Sequence, residues 1–374
     1  MNNNDNTIEK VKGNSRREFI KKGAAGIITA MAAPSIIGCA NSNESNKKKL
    51  GLALMGLGYY STQILGPTMH MCKNTYLAGI VTGTPSKADD WATKYNLKEE
   101  NIYNYDNFDE IIGNDEIDIV YVVLPNALHK EFTIRAAKAG KHVICEKPMA
   151  VNAADCREMI AVCKENNVRL SIGYRMHFEP NTQEIMRLAK DKDFGDIRQI
   201  SAGAGFNLNF FDSWKSKKEL YGGAMMDMGV YPLQAARYAT GEEPISVSAQ
   251  TFKIRPDKIE ADEVTSFQLQ FPGGTVASCE TGFHAVFNYL KVFCEKGWYE
   301  LDPFSSYNGI KGRKSKGEFN FPQVNQQARQ MDEVAWCIMN EKPMRVTGEE
   351  GVKDMIVVEK IRESIAQGGK TIMI

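Results

Sequence analysis

The sequence predicts an α/β chain with an N-terminal doubly wound parallel sheet and a C-terminal α+β domain on a large open, mostly antiparallel sheet. Three observations carry that expectation. From residue 49 to 173, short apolar runs alternate with amphipathic helical stretches, the rhythm of a parallel sheet with helices on both faces. From 174 to 374 the rhythm shifts to apolar–polar alternation around glycine turns, as in antiparallel hairpins. Residues 1–48 fit neither pattern and read as an address and a linker. The chain has 374 residues, 43% hydrophobic and 25% charged, with a formal net charge of zero. That is enough for two domains and gives no electrostatic bias toward nucleic acid. No apolar run reaches an ordinary membrane span.

Ser15-Arg16-Arg17-Glu18-Phe19-Ile20-Lys21 has the form of a twin-arginine signal, followed by the weakly apolar Gly23–Ile37. Such a signal implies export of the folded protein by the twin-arginine machinery to the periplasm. Ile36-Ile37-Gly38-Cys39 resembles a lipobox, which would leave a lipidated Cys39 at the mature N-terminus. Ala30-Met31-Ala32 offers ordinary cleavage and a soluble product instead. The other seven cysteines, at 72, 145, 156, 163, 279, 294 and 337, form no C-x-x-C pair. They suggest core packing, not a disulfide framework or a metal site.

Leu50–Met55 is the first strand and runs into Gly56-Leu57-Gly58-Tyr59-Tyr60-Ser61. In this G-x-G-x-x-S, Gly56 permits the tight turn and Gly58 lets a pyrophosphate approach the backbone. Small Ser61 lets the helix pack closely, with the phosphates on its N-terminus. Its place after the first strand makes it a dinucleotide fingerprint of the Rossmann kind. Tyr76–Thr82 is the second strand, and Ser86 with Asp89 resembles a capping box for the helix through Tyr95. An acidic residue at this strand's end ordinarily binds the ribose hydroxyl of NAD. Here Thr82 and Gly83 stand there and Lys87 lies within reach, an arrangement suited to a 2′-phosphate and so to NADP over NAD.

Asp118–Leu124 is the third strong strand, followed by Pro125-Asn126-Ala127-Leu128-His129. His129, at a strand's carboxyl end, is a candidate cofactor contact. Helix Lys130–Ala139 closes at Gly140. His142–Cys145 then ends at Glu146-Lys147-Pro148-Met149, where Pro148 must stop the strand. Lys147 is thereby delivered to the carboxyl edge of the sheet, where open α/β folds bind ligands. Helix Ala153–Glu165 and strand Arg169–Gly173 complete the series.

In the second half, Ile245–Phe252 alternates apolar and polar residues. Val264–Phe271 and Thr275–Phe283 form one hairpin around Pro272-Gly273-Gly274. Tyr289–Cys294 and Trp298–Leu301 form another. Two helices finish the chain, with Met331, Val334 and Ile338 on one face and Val358, Ile361 and Ile365 on another. Asp227 and Tyr231 lie four apart, on one face of a helix. Gly229, on the same turn, weakens that helix unless something must approach it.

G-x-G-x-x-S, Pro125-Asn126…His129, Glu146-Lys147-Pro148, Gly173-Tyr174-Arg175 and Asp227-x-Gly229-x-Tyr231 occur together and in order. With Tyr103–Phe108, Gly222-Gly223 and Gly348-Glu349-Glu350-Gly351, they make the chain resemble the glucose–fructose oxidoreductase/inositol dehydrogenase/rhizopine catabolism family from residue 49 onward. The glucose–fructose oxidoreductase branch is the most similar. The resemblance implies a nicotinamide cofactor on residues 49–173 and a sugar between them and residues 174–374. Lys147 would hold the reacting oxygen, and Asp227 would orient the sugar and balance the lysine. Tyr231 stands where many members have histidine, and in this branch a tyrosine is the acid/base. Tyrosine ordinarily titrates at about 10, so a neighbouring ammonium assists proton release.

Further cofactor contacts implied are Tyr59, Tyr60, Leu124, Pro125, Asn126, Glu146 and Arg175, with Trp214 and Lys215 closing from the second domain. Tyr174 would line the cleft beside the sugar. The branch's long proline-rich arm is missing, since ten residues separate Cys39 from Leu50. A dimer through the open sheet face is the family default, and the tetramer needs the arm. The expected activity is NADP-dependent hydride exchange with a sugar, at C1 of an aldose, extending to dismutation of two sugars. The alternatives are NAD-dependent glycoside cleavage through transient oxidation and a non-catalytic cofactor sensor.

Overall fold

The computed structural model describes residues 49–374. The twin-arginine motif and Cys39 lie outside the described residues. The first sheet has six parallel strands: β1 Leu50–Met55, β2 Thr75–Val81, β3 Ile102–Tyr103, β4 Ile119–Val122, β5 His142–Cys145 and β6 Leu170–Ile172. Their order is β3-β2-β1-β4-β5-β6. The order reverses direction between β1 and β4, so the crevice for a ligand opens where the glycine loop and Pro125 leave the sheet.

The inner strands bury both faces, because successive side chains alternate between the two cores. Leu50, Leu52 and Leu54 face one core with Ile119, Ile144 and Trp91. Ala53 and Met55 face the other, with Val120, Val143, Phe132 and Met159. The first core is completed from far along the chain. Met331, Val334 and Ala335 of helix Gln326–Met339 pack into it, with Ile338 at its margin as the 3.6-residue period requires.

The second sheet has nine strands: β7 Ile197–Gly205, β8 Ser246–Phe252, β9 Val264–Gln270, β10 Val276–Gly282, β11 Phe287–Cys294, β12 Gly297–Leu301, β13 Gly312–Lys314, β14 Gly317–Phe319 and β15 Ile372–Met373. Their order is β14-β13-β12-β11-β7-β10-β9-β8-β15. All neighbours are antiparallel except β7 and β10. Helices cover the inner face. The outer face carries a shallow groove of about 420 Å³ lined by Ser201, Ser248, Ser266 and Ser278.

Several expectations need correcting. The central strand β7 escapes a pattern search because its second half is Ala-Gly-Ala-Gly. Those glycines make room for aromatic rings of β11. A β-carbon on Gly203 would lie 2.7 Å from Tyr289, and one on Gly205 2.5 Å from Phe287. The chain does not finish on helices, since β15 pairs with β8 at the sheet edge. Ser86 is inside helix Pro85–Tyr95, whose cap is Thr84 without a side-chain bond. Pro85, at the first helical position, removes one of the orphan N–H groups of the first turn. Met225–Gly229 is a π-helical turn leading into helix Val230–Thr240. What Gly229 lets approach is protein, with Met225 Sδ 2.6 Å and Thr281 Cγ2 3.0 Å from a β-carbon there. The seven described cysteines are free and all but Cys294 are buried, as core packing requires.

Candidate functional site

The glycine loop leaves β1 with Gly56 at φ +91°, where a side chain would also collide with the Val123 carbonyl. Only glycine fits that turn. Ser61 Oγ donates to the Gly56 carbonyl at 2.6 Å, so the small residue ties the loop to the helix behind it. Gly58 faces open space, which leaves its backbone approachable by a pyrophosphate. Tyr59 is exposed, and Leu124 packs beneath Gly56. Thr82 is buried at the end of β2, its hydroxyl accepting from Thr84 N at 3.3 Å. Gly83 lies against the Tyr105 ring. Lys87 is exposed and its ammonium donates to the Leu57 carbonyl at 3.0 Å. A threonine, a glycine and a lysine thus meet the glycine loop with no carboxylate among them.

His129 stands under this edge, outside the crevice. Its Nδ1 lies 2.8 Å from the Pro148 carbonyl and its Nε2 2.8 Å from the Leu124 carbonyl. Burial lowers its proton affinity, so the neutral ring donates its single N–H to one of these two carbonyls. The expected cofactor contact is corrected to a clamp that joins the ends of β4 and β5. Asn126 is buried and donates to the Tyr221 carbonyl at 2.7 Å, fastening the loop after Pro125 to the second half. Glu146 accepts from the Tyr121 hydroxyl at 2.6 Å and from Lys147 N at 3.2 Å. Burial pushes its carboxyl up against the pull of those donors.

Lys147 leaves β5 and meets the π-helical turn coming from the second sheet. Its ammonium donates to the Asp227 carbonyl at 2.5 Å, lies 3.8 Å from Asp227 Oδ1, and sits 4.7 Å from the centre of the Tyr231 ring. Burial disfavours the charge on Lys147, but Tyr231, Asp227 and Glu146 outweigh it and hold the ammonium above its ordinary value. Asp227 is likewise buried, yet Lys215 and Lys147 keep its carboxyl below the usual range. The second ion pair comes from Lys215, whose ammonium reaches Asp227 Oδ2 and lies over the Trp214 ring at 5.2 Å. Lys215 thus joins the lysine–aspartate cluster directly, with Trp214 beside it.

Arg175 completes the row on the other side of Tyr231. Its guanidinium is 5.2 Å from the Tyr231 ring centre and 4.6 Å from that of Tyr307. It is 3% exposed and donates to the Ser305 carbonyl, the Ser306 carbonyl and Gln326. Tyr307 in turn stacks on Tyr60 of the glycine loop, ring centres 5.9 Å apart. An unbroken line of side chains thus runs from the dinucleotide loop through Arg175 and Tyr231 to Lys147, Asp227 and Lys215. Tyr307 and Gln326 carried no signal in the sequence. They come from a loop and a helix with no motif of their own.

Tyr174 is a correction. It is 2% exposed and its hydroxyl faces the buried carboxylate of Asp354, away from the cleft. Successive residues leaving a strand point to opposite sides, so placing Arg175 in the cleft turns Tyr174 into the core.

A lysine at the edge of a Rossmann sheet, meeting an aspartate and a tyrosine on a helix from the second half, defines an oxidoreductase that works on a bound nicotinamide nucleotide. Residues 50–174 match the oxidoreductase family with the NAD-binding Rossmann fold, and residues 182–300 match the GFO/IDH/MocA C-terminal domain. The chain belongs to the GFO/IDH/MocA family of oxidoreductases. Among solved structures it is similar to aldose–aldose oxidoreductase from Caulobacter crescentus complexed with glycerol. The identity is 41% over 87% of this chain and 100% of that one, with a TM-score of 0.84. It is 28% identical over 327 residues to D-xylose 1-dehydrogenase [NADP(+)] of Haloarcula marismortui, covering 83% of this chain and 90% of that protein. It is also 29% identical over 260 residues to 2,7-anhydro-N-acetylneuraminate hydratase of Escherichia coli, covering 68% of each.

Proposed function

We propose that the protein is an NADP-dependent aldose oxidoreductase that exchanges hydride at C1 of the sugar and dismutates two aldoses. The observation that carries this reading is the meeting of Lys147 with Asp227 and Tyr231 at the carboxyl edge of the parallel sheet. The Caulobacter and Haloarcula relatives, by their names, support the sugar and the nucleotide. The residues fit the cofactor: the Gly58 backbone is open to a pyrophosphate, and Thr82, Gly83 and Lys87 would hold a 2′-phosphate. When bound, the nicotinamide accepts or returns the hydride at the sugar carbon.

The chain's own residues do the rest. Lys147 holds the sugar oxygen and steadies negative charge as it develops there. Tyr231 takes the hydroxyl proton as the carbon gives up hydride, and returns it when a second aldose is reduced. Asp227, itself held ionised by two ammonium groups, accepts a neighbouring sugar hydroxyl and fixes the ring's orientation. Arg175 and Tyr60 close the cofactor side. Oxidation at C1 gives a lactone and the paired reduction gives an alditol. Glycoside cleavage through transient oxidation would leave neither, so product analysis separates the two reactions.

Lys87→Ala removes a charge-assisted contact, generally worth about 1.5–3 kcal/mol. NADP affinity should fall roughly ten- to a hundredfold in a titration, with NAD nearly unchanged. Equal wild-type affinities for NADP and NAD would remove the argument. We also propose export by the twin-arginine route and a dimer through the outer face of the second sheet. Changing Arg16 and Arg17 to lysine should leave folded protein in the cytoplasm, measured by fractionation. Variant protein that still reaches the periplasm or membrane contradicts the export reading.

A further inference from the structure

Helix Gly348–Ala366 touches both halves of the site. On one side it is locked to the segment that follows Lys147. A β-carbon on Gly351 would lie 2.6 Å from Met149 Sδ and 2.7 Å from Met149 Cβ. Glu359 accepts from Ala153 N at 2.9 Å, and Arg362 donates to the Val151 carbonyl at 2.8 Å. On the other side it grips the helix that carries Tyr231. Fully buried Asp354 accepts from Gln234 Nε2 at 2.7 Å and from Arg237 Nη1 at 2.5 Å. Gln234 and Arg237 lie one and two turns beyond Tyr231.

Charge neutralisation does not require Asp354. Arg237 already holds Glu243 through two bonds of 2.6 and 2.8 Å, and Glu350 at 2.9 Å. A further carboxylate desolvated beside a satisfied arginine adds little to stability. What it adds is direction, because both of its oxygens bond to the helix bearing Tyr231. We infer that Asp354 is a positioning residue that, through Gln234 and Arg237, sets the spacing of Tyr231 from Lys147. This rests on the proposed assignment of Lys147 and Tyr231 to the chemistry.

The test compares three variants of the full chain loaded with NADP: Asp354→Asn, Gln234→Met and Glu243→Gln. Gln234→Met removes the tie nearer Tyr231, leaving the Arg237–Asp354 ion pair in place, so it decides the matter if Asp354→Asn does not fold. The readouts are the single-turnover hydride rate with excess aldose, sugar affinity, and the melting temperature. A misplacement of 1 Å can slow a reaction about a hundredfold, so the first two variants should lose roughly ten- to a hundredfold in rate with sugar affinity within about twofold. Glu243→Gln, on the half-exposed side of the same arginine, should react within about twofold of wild type. The inference is overturned if Gln234→Met reacts at the wild-type rate. It is equally overturned if the rates of all three variants fall in step with their melting temperatures. Tyr231→Phe separates the two claims. A fast Tyr231→Phe refutes the assignment itself, whereas a slow Tyr231→Phe beside a fast Gln234→Met refutes only the positioning role.

Discussion

Replacing Tyr231 by phenylalanine should slow hydride transfer about 10²–10⁴-fold, the usual worth of a positioned acid–base group, while sugar binding survives. The substitution removes one oxygen from a buried ring flanked by Lys147 at 4.7 Å and Arg175 at 5.2 Å. Little volume changes, so the cleft keeps its shape and the loss falls on the chemical step. Single-turnover reduction of bound NADP by excess aldose measures that step without product release. A rate within a factor of a few of wild type would move the proton to Lys147 or to water.

Lys147→Met should slow the same step by a comparable factor and weaken the sugar as well. The ammonium is the donor nearest the reacting oxygen in this reading. It also holds the Asp227 carbonyl at 2.5 Å, so its loss leaves Asp227 with Lys215 alone. Two groups acting on one oxygen work as a unit, and their effects do not add. The Lys147→Met/Tyr231→Phe double variant should therefore be little slower than the slower single one. Rate losses that multiply, or unchanged sugar affinity in Lys147→Met, would place the lysine away from the substrate.

Lys147, Asp227 and Tyr231 were legible because each sits where local chemistry is constrained. Pro148 ends the strand at Lys147, and the Gly222-Gly223 pair opens the turn that bears Asp227. Their meeting across two sheets followed from family spacing, since no local rule brings residue 147 to residue 231. Tyr307 and Gln326 were illegible for the opposite reason. They act by stacking on Arg175 and bonding to it, and neither interaction leaves a periodic trace.

The misreadings have physical causes as well. His129 is polar at a ligand-binding edge, which suggests a ligand, but it is buried with its ring nitrogens against two backbone carbonyls, one of which takes its N–H. Tyr174 shares a motif with Arg175, yet its side chain turns to Asp354 in the core. Strand β7 was hidden because its glycines serve the aromatic rings laid across them, a need visible only once β11 is paired beside it.

Transfer of deuterium from an aldose labelled at C1 to the nucleotide distinguishes sugar oxidation at that carbon from every other reaction of the site. Purified protein loaded with NADP is mixed with the labelled sugar, and the reduced nucleotide and sugar products are recovered. Reduced nucleotide should form and carry the label, and the oxidised sugar should be the lactone. Reduced nucleotide without deuterium would place the oxidation at another carbon. No reduced nucleotide in any turnover would contradict the assignment of Lys147, Asp227 and Tyr231 to sugar oxidation.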